Sequence, residues 1–110
     1  MSSVTSMRSV RFQYVHISRR RHPITVAYRA GEGNGMITIM LGVAFCHSND
    51  RFNRSLGREI AEGRMNAHPV TFQVEFDSQN TSAYGRVIAE AINSFVTDNY
   101  YALHQQYSSR

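Results

Sequence analysis

Two groups of arginines carry the most organised chemistry in the chain. The first is the run Arg19-Arg20-Arg21-His22, with Arg11 and Arg29 on the segments that flank it. Three consecutive guanidinium groups repel one another unless an anion lies between them, and phosphate oxygens suit that role. The second group, Arg51, Arg54 and Arg58, recurs at helical spacing. At about 100° per residue these three cluster on one side of a helix while Phe52, Leu56 and Ile60 cluster roughly opposite. The spacing predicts a core face and a basic face, with Glu59 and Glu62 placed to neutralise part of the charge through pairs three and four residues apart. For both groups the alternative to a binding site is an ordinary solvated surface. Tyr14, Tyr28, Tyr84, Tyr100, Tyr101 and Tyr107 add rings on which a base could stack, although Tyr84 also fits a core stripe.

Catalytic chemistry has less to stand on. Cys46 beside His47 has the residue types of a nucleophile and its base, but neighbours on a strand point to opposite faces and do not readily hydrogen bond. A buried structural cysteine is the expectation. The histidines at 16, 22, 47, 68 and 104 show no short-range metal-ligand spacing, and no second cysteine accompanies them. Asp50, Asp77 and Asp98 fall near helix ends, where capping explains them, and they do not form the acidic cluster of a metal-dependent nuclease. No catalytic residue, metal or cofactor is expected, and no turnover.

Composition bounds what must position these residues. At 110 residues with 42% hydrophobic and 18% charged content, the chain matches a single globular domain able to fold without metal or disulfide staples. The single cysteine closes no intramolecular bridge, and the start lacks the pattern of a secretory leader. The longest apolar run, Ile39 to Cys46, is interrupted by Gly42 and is far short of the roughly 20 residues that cross a bilayer. A cytoplasmic protein with no membrane partner is expected. The formal net charge is +4 and all twelve basic residues are arginine. That bias fits either codon usage in a GC-rich genome or selection for planar, bidentate recognition of phosphate and carboxylate, and composition does not separate the two.

Periodicity supplies the elements. Residues 8–105 read as the domain, with 1–7 and 106–110 as flexible ends. Val10, Phe12, Tyr14 and His16 alternate with Arg11, Gln13, Val15 and Ile17 in a first strand. After the basic turn, Ile24, Val26 and Tyr28 alternate with Thr25, Ala27 and Arg29 in a second. Gly31-Glu32-Gly33-Asn34-Gly35 reads as a tight reversal rather than a phosphate loop, because apolar strand-like runs lie on both sides of it. Met36 to Cys46, apolar at nearly every position, predicts a central strand buried on both faces. Ser48-Asn49-Asp50 offers caps for a helix carrying Phe52, Leu56 and Ile60 that stops near Gly63. Val70, Phe72, Val74 and Phe76 form the clearest alternation. A second helix starts among Ser78, Asn80 and Thr81 and carries Tyr84, Ile88, Ile92 and Phe95 on one face to about Gln105.

The resulting order is β-β-β-α-β-α. It predicts an α+β domain with a small mixed four-stranded sheet and two helices on one face. Leu56-Gly57-Arg58-Glu59-Ile60-Ala61-Glu62 and Tyr84-Gly85-Arg86-Val87-Ile88-Ala89-Glu90 echo one another. Glycine at matching helical positions suggests that backbone approaches backbone closely in both helices.

Val43-Ala44-Phe45-Cys46 followed by Asp50-Arg51-Phe52-x-Arg54-x-x-Gly57-Arg58-x-Ile60-Ala61-x-Gly63-Arg64 resembles a segment of small accessory proteins of tailed bacteriophages, over about a fifth of the chain. The resemblance assigns no catalytic or ligand-binding residue. It implies a class: small phage proteins that bind and disable a host factor, restriction and CRISPR components included, or that sequester a nucleotide signal. On that reading the chain is a non-enzymatic host-takeover or anti-defence protein in the cytoplasm of an infected bacterium. Its partner is then a host protein or an anionic nucleotide ligand, and a homo-oligomer is compatible with it. The alternative is an arginine-rich module that binds phage or host nucleic acid, and a structural role in the virion is a third reading. Under either leading function the partner- or phosphate-binding residues are Arg51, Arg54, Arg58, Arg19, Arg20 and Arg21. The helical triplet is expected to dominate, because a helix holds its members at fixed spacing and less entropy is lost on binding.

Overall fold

A computed structural model of the chain describes residues 7–108. It contains β1 (Arg11–Val15), β2 (Ile24–Gly33), β3 (Met36–Ala44), α1 (Arg54–Ala67), β4 (Val70–Glu75), a single 3-10 turn (Thr81–Ala83), α2 (Tyr84–Asp98) and α3 (Tyr100–Ser108). The α+β class, the four strands and the placement of helices after β3 and β4 agree with the sequence pattern. The second helix is divided at Asn99, whose backbone and side-chain nitrogens both donate to the Phe95 carbonyl. No helix among the described residues is long and apolar enough to cross a membrane.

The sheet runs in chain order, β1-β2-β3-β4, and every neighbouring pair is antiparallel. It is therefore not the mixed sheet expected. The reason lies in the path of α1, which crosses one end of the sheet instead of running its length. The chain leaves β3 at Ala44 and re-enters β4 beside Leu41, paired with Val70, so it returns at the end it left and the new strand must run backwards. β2 and β3 are joined at Asn34-Gly35, with φ of 56° and 73°. Both residues occupy the left-handed region that a two-residue hairpin turn requires.

The helices cover opposite faces, which corrects the expectation of two helices on one face. Alternate residues of the central strands divide by size. Ile24, Val26, Ile37, Ile39, Leu41 and Val43 point to one side, where with Val15 they meet Ile88, Ile92 and Val96 of α2 and Leu103 and Tyr107 of α3. Phe72 of β4 stacks on Phe95 there, with centroids 4.1 Å apart and planes 2° from parallel. Thr25, Ala27, Gly42 and Ala44 point to the other side, where Ala27 and Ala44 cluster with Ala61 and Met65 of α1. A strand apolar on both faces needs cover on both, and one helical layer cannot supply it. Burial of each large aliphatic side chain contributes about 1.5–3 kcal/mol, so most of the hydrophobic stabilisation comes from the α2–α3 side. The α1 side, built of small residues, gains mainly close approach.

That close approach decides which way α1 faces. The stripe turned onto the sheet is Gly57, Ala61 and Met65, the last two fully buried, not the expected Phe52, Leu56 and Ile60: Leu56 is 51% and Ile60 37% exposed, and Phe52 precedes the helix. The cap is Asn53, whose side-chain oxygen accepts from the Leu56 amide at 3.0 Å, rather than Ser48-Asn49-Asp50. The echo between the helices does not extend to packing. A Cβ on Gly57 would lie 2.8 Å from Thr25 Oγ1, but one on Gly85 would meet nothing. At the C-terminal end, regular structure passes residue 106. Tyr107 is buried in the core and donates to the His68 carbonyl at 2.6 Å, so it is an anchor and not part of a frayed end. Residues 1–6 and 109–110 lie outside the described residues.

Candidate functional site: a basic aromatic groove

Three segments meet at one end of the sheet. β1 ends at Val15 and β2 begins at Ile24, so the intervening basic run must reverse there; the Arg20 amide closes the turn on the Ile17 carbonyl at 2.9 Å. The Thr25–Ala44 pairing brings the end of β3 alongside, which places Phe45 to Ser48 next to the turn. The break at Asn99 lets α3 begin over the same region with Tyr100 and His104. Together they enclose an open groove of about 520 Å³ lined by Arg19, Arg20, Arg21, Phe45, Cys46, His47, Ser48, Tyr100 and His104.

Arg20 is the fixed member. Its Nη1 donates to the Tyr100 hydroxyl at 2.9 Å and its Nη2 to the Cys46 carbonyl at 2.7 Å. The guanidinium lies 5.6 Å from the Phe45 ring centre and 5.8 Å from that of Tyr100, and its buried Nε has no hydrogen-bond partner among the described residues. Both hydrogen-bond acceptors are neutral, so the charge is oriented without being cancelled by them. A half-buried cation held in this way favours an anion nearby, since its own solvation is reduced. Arg19 and Arg21 beside it are exposed and add two further charges at the mouth. The wall beside it is aromatic: Phe45 lies 4.8 Å from His104 and 5.7 Å from Tyr100, and Tyr101, 83% exposed, continues from Tyr100 at 5.3 Å.

The helical triplet does not form the basic face expected of it. Arg51 precedes α1 and is exposed in the loop. Arg54 lies over the Tyr14 ring at 4.8 Å; Arg58 donates from Nε to the Tyr14 hydroxyl at 2.9 Å and lies 5.4 Å from Phe12. With Gly57 and Ala61 turned onto the sheet, the stripe carrying Arg54 and Arg58 faces the aromatic side chains of β1. These two arginines roof an edge strand. Arg11 and Arg29 do not flank the turn either: Arg11 pairs with Tyr28 at the far end of β1, and Arg29 opposite Met40 shares the α1 side of the sheet.

Arg51 nevertheless stays near the turn. His22 Nε2 makes a 2.8 Å hydrogen bond to the Asp50 carbonyl, and its ring stacks on Phe52 at 5.9 Å, which ties the basic run to the loop before α1. Cys46 and His47 lie in that loop and not on a strand, so alternation is not what separates them. The Cys46 thiol points towards the carbonyls of His47 and Arg51 at 3.6 and 3.9 Å, while His47 Nδ1 accepts from the Asn49 amide at 3.1 Å. Sequence reasoning missed Phe45 and His104 as groove residues and had Tyr100 only as one of six candidate stacking rings, not joined to the basic run. The four-residue spacing of Tyr100 and His104, which puts both on one helical face, was the one available signal. No family model, curated protein or solved structure matches the chain.

Proposed function

We propose that the chain is a non-catalytic binding protein that holds a phosphate-bearing nucleotide ligand in the groove formed by Arg19–Arg21, Phe45 and Tyr100. Such a role accords with a small phage protein that sequesters a nucleotide signal or disables a host factor in the bacterial cytoplasm. The supporting observation is the fixed Arg20, oriented by two neutral acceptors beside an aromatic wall. Phosphate oxygens bind Arg20 with Arg19 and Arg21 closing from the mouth, and the base lies against the Phe45, Tyr100 and His104 rings. A groove of about 520 Å³ is within the range that small ligands occupy. Calorimetric titration with mono-, di- and cyclic nucleotides tests it. Saturable binding that Arg19→Gln with Arg21→Gln weakens about tenfold or more is expected. No binding by any of them, or binding indifferent to the double substitution, removes the reading.

A second reading, binding of single-stranded nucleic acid, draws on Tyr101. Its ring extends the aromatic surface beyond the groove, where a following base would stack. An oligonucleotide that binds with a steep loss of affinity on raising salt, while mononucleotides do not bind, selects this alternative.

A further inference from the structure

A second basic cavity lies at the opposite end of α2, about 22 Å away by the rise of a helix of this length. It occupies about 300 Å³ between the start of β1, the middle of β2 and the first turn of α2, and is lined by Arg8, Ser9, Arg11, Tyr28, Tyr84 and Gly85, with Ala30 and Ile88 behind. Among these described lining residues none is acidic. We infer that this cavity is a binding site for a compact tetrahedral oxyanion, either inorganic phosphate or the phosphoryl group of a small phosphomonoester.

Five observations converge on it. Among the described residues the buried Tyr84 hydroxyl has no hydrogen-bond partner, a costly state for a polar group at the wall of a cavity. Arg8 is anchored by its amide to the Ala30 carbonyl at 2.9 Å, and its guanidinium lies 4.2 Å over the Tyr84 ring, so one cation is held at the wall. Arg11 stands across from Tyr28 in the β1–β2 register. Tyr28, Arg11 and Tyr84 all line this cavity; burial raises the Tyr28 pKa, the Arg11 charge opposes that rise and Tyr84 adds to it, in keeping with their proximity. Gly85 has no packing reason to be glycine, since a Cβ there would meet nothing; without a side chain it leaves the rim clear. Ala83 cannot cap α2 with its side chain, so the positive end of the helix dipole reinforces the same sign. Two guanidinium groups and two phenolic donors match the several acceptor oxygens of a phosphate.

The test uses protein whose groove is silenced by Arg19→Gln and Arg21→Gln, so that this site and the nucleotide site are read separately. Inorganic phosphate and phenyl phosphate are titrated by calorimetry against chloride at equal ionic strength. Saturable binding of at least one is expected to persist in the silenced protein and to weaken about tenfold in Arg11→Gln and about fivefold or more in Tyr84→Phe. Tyr84→Phe keeps the ring under Arg8 and removes an unpartnered hydroxyl, so its thermal midpoint should equal or exceed that of the parent. Tighter phenyl phosphate assigns the site to a phosphomonoester, and tighter inorganic phosphate assigns it to the free ion. Loss of all binding on silencing the groove, or unchanged affinity in both Arg11→Gln and Tyr84→Phe, overturns the inference.

Discussion

Gly42 of β3 lies so close beneath Met65 of α1 that no side chain fits between them: a Cβ on the glycine would stand 2.7 Å from Met65 Cα and 2.6 Å from the Ala61 carbonyl oxygen. Both obstacles are backbone, so relief requires lifting the helix. Gly42→Ala is expected to cost about 3 kcal/mol or more, read as a lower urea midpoint. Gly63→Ala, in the same helix with open space around its Cβ, should instead gain up to about 1 kcal/mol. Similar effects at the two sites would mean that α1 does not sit on Gly42.

The direction in which α1 faces is tested by its apolar residues. Leu56→Gln should stay within about 0.5 kcal/mol of the parent, because the leucine is half exposed. Met65→Ala, at a fully buried position, should lose about 2–5 kcal/mol. A large loss at Leu56 with tolerance at Met65 would restore the helical face that the four-residue spacing suggests.

The two arginine groups should separate in binding. Arg19→Gln with Arg21→Gln is expected to weaken the nucleotide ligand and to flatten its salt dependence, since fewer phosphate charges are neutralised. Arg54→Gln with Arg58→Gln should leave affinity within about twofold and lower stability by about 1 kcal/mol or less, the scale of exposed cation–π contacts to Phe12 and Tyr14. The reverse ranking would return the binding site to α1.

Alkaline pH gives an independent probe of the docked C-terminal helix. Burial raises the Tyr107 pKa above its ordinary value of 10.0, and the Arg64 charge offsets part of the rise. Below about pH 10 both folded and unfolded chains keep the proton and the contribution to stability is complete. Above it the unfolded chain releases the proton first, so the unfolded state binds fewer protons and stability falls as pH rises through the raised folded value. Tyr28 adds a slope of the same sign. Tyr107→Phe should remove part of that alkaline loss, and an unchanged slope would contradict burial of the phenol.

Local patterns were legible wherever a single rule decided the outcome. The Asn34-Gly35 reversal, the alternation of Val70 to Phe76 and the doubly buried β3 each follow from one period or one turn preference. The facing of α1 did not, because two rules compete there. Leu56 and Ile60 have the hydrophobicity of a core stripe, but Gly57 and Ala61 have the size that Thr25, Ala27 and Gly42 can accommodate, and close fit won. The doubly apolar β3 already implied cover on both sides of the sheet; only the assumption of crossover connections concealed it. At the site, the run Arg19–Arg21 was visible as charge density. Its pairing with Phe45 and Tyr100 was not, although Tyr100 stood among the candidate stacking rings, because these residues come from distant segments joined by the register of β2 with β3 and by the break at Asn99.

Strand order that follows chain order also has a consequence in time. The pairings of β1 with β2 and of β2 with β3 close only the short segments 16–23 and 34–35, so little loop entropy opposes them and they belong to the rapid, local class of folding events. During synthesis all three strands of the β1–β3 meander are made before any helix. The large aliphatic face of that meander then stays uncovered until α2 and α3 arrive at the very end of the described chain. The groove is completed at the same moment, for Tyr100 reaches Arg20 and His104 reaches Phe45 only when that last layer closes. The proposed groove is therefore the last feature to be completed, and loosening the C-terminal helices should dismantle it while the sheet beneath still stands.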